Sequence, residues 1–64
     1  MRLITLNTTT GRSHMIDPFC IREVAPGSDD GATVTYEVGL GVVKAVSVRD
    51  SVDDIAEFIR DVEL

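Results

Sequence analysis

The chain has 64 residues and a formal charge of −5, with 44% hydrophobic residues, three aromatic rings, one cysteine and one histidine. A chain this short buries only about 60% of the surface its unfolded form exposes, which gives a single small domain over residues 1–64 of modest stability. One cysteine excludes an internal disulfide, and Cys20 with His14 falls short of the four ligands of a structural zinc site, so a homodimer is an expected source of extra stability.

The segment Arg2 to Thr9 is rich in β-branched residues and reads as a strand. Thr10-Gly11-Arg12 supplies a turn, and Ser13-His14-Met15-Ile16 returns as a short second strand. At Asp17-Pro18-Phe19-Cys20 the proline removes a donor and Asp17 is placed to cap one helical turn, which predicts a tight corner. Cys20 to Ala25 then reads as a short strand, with Ile21 and Glu23 on one side and Cys20, Arg22 and Val24 on the other. Pro26-Gly27-Ser28-Asp29-Asp30-Gly31 ends it in the densest group of turn formers in the chain.

Ala32 to Leu40 alternates clearly, with Val34, Tyr36, Val38 and Leu40 on one face and Thr33, Thr35 and Glu37 on the other. Gly39-Leu40-Gly41 offers a turn or bulge, and Val42 to Val48 completes a hairpin with Val42, Val46 and Val48 on one face around Lys44. A helix follows, because Ser51 and Asp54 have the spacing of a short-armed capping box. Val52, Ile55, Phe58, Ile59 and Val62 then fall on one stripe, opposite Asp54, Glu57 and Asp61. The predicted fold is α+β: a small antiparallel sheet of four to five short strands, open to barrel-like curling, covered by one C-terminal helix.

Residues 1–49 carry five cations and five anions, so the whole net charge belongs to residues 50–64, where six acids face Arg60 alone. Phosphate-backbone binding needs clustered Lys and Arg, which disfavours nucleic acid as a ligand. No run of eighteen apolar residues and no basic-then-apolar leader appears, so the expectation is a cytoplasmic protein without a membrane span. No residue set suggests an enzyme, a metal or a cofactor. Cys20 reads as a small core residue and His14 as a half-exposed sheet residue, Asp29-Asp30 as a solvated pair, and the glycines lack the phosphate-cradling pattern.

What remains are surfaces. Strand edges can pair with another chain, and the acidic face of Asp53, Asp54, Glu57 and Asp61 can meet a basic partner. Tyr36 at the rim of the apolar face and Phe19 at the corner are further partner-binding candidates, with Leu64 the other apolar residue free of an obvious core role.

The order of these motifs resembles a family. Leu3-Ile4-Thr5-Leu6-Asn7, the corner Ile16-Asp17-Pro18 with the strand Ile21 to Val24, the hairpin from Thr33, and Val46-Ser47-Val48-Arg49-Asp50-Ser51-Val52-Asp53-Asp54-Ile55 look like the small flagellar and swarming-motility proteins called FlbD or SwrD. A similar outline recurs in short phage and prophage proteins. The resemblance implies a non-enzymatic accessory or regulatory protein, and its phage-like form implies a small effector that binds a host protein. Two other functions stand beside this expectation. One is an acidic mimic of nucleic acid that occupies a basic channel of a DNA- or RNA-processing enzyme. The other is a small nucleic-acid-binding barrel, for which Arg2, Arg12, Arg22 and Lys44 would have to converge on one face.

Overall fold

The structure is a computed structural model that describes residues 3–63. Strands β1 (Ile4–Asn7) and β2 (Ser13–Ile16) form one antiparallel hairpin, and β3 (Ile21–Pro26), β4 (Ala32–Gly39) and β5 (Val42–Val48) form an antiparallel sheet in the order β3-β4-β5. A 3₁₀ turn at Pro18–Cys20 joins the two sheets, and the helix α1 (Val52–Glu63) ends the chain. The fold is therefore α+β, with five strands in two sheets. The sheets touch through a single bridge between Thr8 and Val48, so the barrel is not closed. Arg2, at the expected start of the first strand, and Leu64 lie outside the described residues.

Alternation decides which side chains meet. In β1 and β2 the inward set is Ile4, Leu6, His14 and Ile16, paired as Ile4 with Ile16 and Leu6 with His14. In β4 and β5 it is Ala32 and Val34, across from Val48 and Val46. Ile55 comes down from the helix into the space between the sheets, and with Leu6, Val34 and Val48 it forms the fully buried centre. Val52, Phe58, Ile59 and Val62 pack partly buried around it, while Asp54, Glu57 and Asp61 face solvent, as the helical stripe predicts.

The start of the helix follows the expected capping box in both directions. The amide of Asp54 donates to Ser51 Oγ at 3.1 Å, and the amide of Ser51 donates to Asp54 Oδ2 at 3.4 Å. At the earlier corner, Asp17 caps the 3₁₀ turn by accepting from the Phe19 amide at 2.9 Å, with Pro18 in the first position, where its missing donor costs nothing. Gly31 is required by close approach, because a Cβ there would collide with the carbonyl oxygen of Val48.

Two bulges overturn parts of the strand reading. In β3, Ile21 pairs with Tyr36 but Glu23 pairs with Thr35, so Arg22 is an extra residue. Ile21 and Val24 consequently share the inward face, and the expected pairing of Ile21 with Glu23 on one side is wrong. Arg22 is held out of the ladder by Glu37, which accepts from its Nη2 at 2.9 Å, and by its Nη1 donation to the Phe19 carbonyl at 3.1 Å. In β4 a second bulge falls between Glu37 and Gly39, so Val38 and Leu40 leave the apolar face they were expected to share with Val34 and Tyr36.

The buried carboxylate of Asp50 joins the two sheets at their common end. It accepts from the Asn7 amide at 2.7 Å and from Asn7 Nδ2 at 3.2 Å. The adjacent Arg49 amide donates to the Asn7 carbonyl at 2.7 Å, and the Thr9 amide donates to the Ser47 carbonyl at 3.1 Å.

Two substitutions test this arrangement by chemical denaturation. Ile55→Ala empties the centre of the core and is expected to cost about 2–5 kcal/mol, enough to unfold much of a chain this small. Asp50→Ala strands the Asn7 amide and is expected to cost about 1–3 kcal/mol. Asp61→Ala on the exposed helix face serves as the control and should change stability by less than about 0.5 kcal/mol.

Candidate interaction surface

The β4–β5 hairpin ends in a two-residue loop, Leu40-Gly41, closed by the pair of Gly39 with Val42. Both loop residues have positive φ, 52° for Leu40 and 79° for Gly41, which is the pattern of a type I′ turn. Such a turn suits the right-handed twist of the strands, but its first position favours Asn, Asp or Gly. Leucine there costs about 1–2 kcal/mol of backbone strain. No packing among the described residues offsets that cost, because the Leu40 side chain is fully exposed.

The tip gathers further exposed apolar groups. Val38 is carried outward by its bulge, and Val42 and Val43 are each more than half exposed. Their adjacency explains this in part: consecutive residues of a strand point to opposite faces, so both valines cannot enter one core. Phe19, 80% exposed, lies toward the same end of the sheet, since Arg22 holds both its carbonyl and the Glu37 carboxylate.

Below the tip, β5 presents an open edge. The Ser47 carbonyl and Arg49 amide point toward Thr9 and Asn7, so by alternation the amides and carbonyls of Val43 and Ala45 point the same way, beyond the reach of that pairing. Val42, Val43, Lys44 and Ala45 are all exposed. The other edges are blunted. The β3 edge carries the Arg22 bulge and Pro26, and β2 is only four residues long.

The partner-binding candidates read from the sequence fall in three places. Asp53, Asp54, Glu57 and Asp61 are all exposed along the helix, and the side chain of Asp54 is engaged in the cap. Phe19 stands out at the corner. Tyr36 is half-buried, its ring 5.3 Å from that of His14 at an interplanar angle of 52°, a tilted aromatic contact at the rim of the core. These residues do not converge on one surface. The exposed apolar residues Leu40, Val42 and Val43 lie outside that set, and their only signal in the sequence is a leucine between two turn glycines and a valine doublet.

Cys20 is half-buried in the 3₁₀ turn. An open recess of about 350 Å³ lies elsewhere, lined by Thr9, Ser28, Asp29, Val48 and Arg49, and it contains neither Cys20 nor His14. Among the described residues, no three His, Cys, Asp or Glu side chains gather as a metal site requires, and no helix is long and apolar enough to cross a membrane. Of the cations a nucleic-acid surface would use, Arg12 lies beside the first turn, Arg22 is paired with Glu37, and Lys44 stands on β5. Comparison with protein families, curated proteins and solved structures finds no match.

If Leu40 is held in place only by the turn, its replacement by a residue that suits positive φ should stabilise the monomer. Leu40→Asn and Leu40→Gly are each expected to gain about 1 kcal/mol and to raise the thermal midpoint. A fall in the midpoint would show that Leu40 packs within its own chain.

Proposed function

We propose that this protein is a small non-catalytic interaction module whose contact surface is the β4–β5 hairpin. The observation that carries the reading is Leu40, an apolar side chain fully exposed in a left-handed turn position, where it stabilises nothing in its own fold. Residues held in strained backbone positions cluster at functional sites, which supports a contact here. Val38, Val42 and Val43 enlarge the apolar tip, and the open β5 edge adds backbone donors and acceptors for a partner strand.

The resemblance to small motility and phage proteins supports an accessory or regulatory role over catalysis. A phage-encoded modulator of a host protein, acting in the cytoplasm, is the specific form of this reading. The single free thiol of Cys20 is in keeping with a reducing compartment.

A second reading draws on the helix. The exposed carboxylates of Asp53, Glu57 and Asp61, beside Asp54, make an acidic stripe that could imitate a phosphate backbone in the basic channel of a nucleic-acid enzyme. The two readings place the contact on different elements. A photo-crosslinking side chain installed at Leu40, and separately at Asp61, would be activated in cells of the native source. The hairpin reading predicts discrete protein adducts from position 40 and none from position 61. Adducts from position 61 alone would move the contact to the acidic face and overturn it.

A further inference from the structure

We propose that β5 is the seam of a symmetric homodimer, in which Val43 of one copy pairs with Val43 of the second to join two three-stranded sheets into one of six strands. This rests on the reading of the hairpin as the contact surface and names a second copy of the chain as its first partner. The free edge is bounded at both ends. The Leu40-Gly41 turn closes one end, and at the other Thr9 already occupies the Ser47 carbonyl.

An antiparallel partner strand must bring its own outward residues against Val43 and Ala45, which leaves few registers. Pairing Val43 with Ala45 of the second copy would set Lys44 directly opposite Lys44, which is unfavourable. That register would also drive the second copy's hairpin tip against Thr9. Centring the two-fold axis on Val43 avoids both. Lys44 then faces Val42 of the second copy, Gly41 faces Ala45, and the tip residue Leu40 comes to rest beside Val46. The strained leucine thus gains a partner surface, and the exposed Val43 pair meets on the outer face of the joined sheet.

The edge carries a single charge. Lys44 is the lone charged residue between Val42 and Val48, whereas the net charge of −5 belongs to residues 50–64. The helix packs chiefly on β1 and β3, so joining two copies through β5 does not press the acidic faces together. Five residues of edge and a few side chains cover less than the roughly 800 Å² per partner of a standard interface. Association should therefore be concentration-dependent rather than obligate.

Sedimentation equilibrium from low micromolar to near-millimolar concentration reads the outcome. The mass should climb from the monomer's 7.0 kDa toward twice that value. Val43→Pro removes only the outward amide, and it should stay monomeric with an unchanged circular dichroism spectrum. Val43→Glu serves as the second variant if the proline disturbs the fold, and it too should stay monomeric.

The register is tested in a Cys20→Ser background. Paired Val43→Cys residues, with Cα atoms about 5.5 Å apart, are within disulfide reach, whereas Lys44→Cys residues sit on a longer diagonal of about 7–8 Å. Oxidation should therefore link the first variant much faster than the second. A constant monomer mass, undiminished association of Val43→Glu, or faster linkage through Lys44→Cys would each overturn the proposal. A constant monomer mass together with adducts to another protein from Leu40 would reject the seam and leave the interaction reading standing.

Discussion

Asp50 is the residue on which the arrangement of the two sheets depends. Its buried carboxylate binds the Asn7 main chain and side chain across 43 positions of sequence, and so fixes the end of β1 beside the end of β5. The neighbouring bonds from Arg49 to Asn7 and from Thr9 to Ser47 extend that junction by one residue on each side. Ser51, the next residue, caps the helix, so one short run of chain both closes the sheets and sets the direction in which α1 departs. A charge-assisted bond to a backbone amide is stronger than a neutral one, and breaking it would leave the part-buried Asn7 donor without this partner.

The junction is confined to one end, and this has consequences for the other. β1 meets β5 only at Ser47 to Arg49, because the turn after Thr8 carries the chain away to β2, and the helix packs at this end by sending Ile55 between Leu6, Val34 and Val48. The apolar stripe of α1 is consumed in doing so. Among the described residues none covers the first half of β5 in this way, and Val42 to Ala45 are exposed. A domain of this size has a small core and few spare elements, so an uncovered edge is where a partner can add most. The bulge at Arg22 and the proline at position 26 protect β3, whereas between Val42 and Ala45 the β5 edge carries Lys44 alone.

Much of this was legible in the sequence because it depends on local chemistry. Ser51 and Asp54 form the capping box at the expected spacing, Asp17 and Pro18 build the corner, and the stripe of Val52, Ile55, Phe58, Ile59 and Val62 is the buried side of the helix. The parts that were not legible involve either an interrupted period or distance along the chain. A period of two assumes an unbroken pleat, and the extra residues at Arg22 and Val38 shift it, which puts Val24 instead of Glu23 on the face of Ile21 and takes Val38 off the face of Val34 and Tyr36. Asp50 directly precedes the helix cap Ser51, and nothing near it in the chain announces a bond to Asn7. The acidic face is visible in the sequence as charge, whereas the hairpin tip shows there only as a leucine between two glycines and a valine doublet, whose exposure depends on the turn.

Amide hydrogen exchange, followed by nuclear magnetic resonance in dilute solution, tests the division between closed junction and open edge most directly. The amides of Asn7, Thr9 and Arg49, held by Asp50, Ser47 and Asn7, should exchange slowly, while those of Val43 and Ala45 should exchange rapidly even though they lie inside a strand. Equal protection of Val43, Ala45 and their strand neighbours in dilute monomer would contradict it, because β5 would then be covered along its whole length.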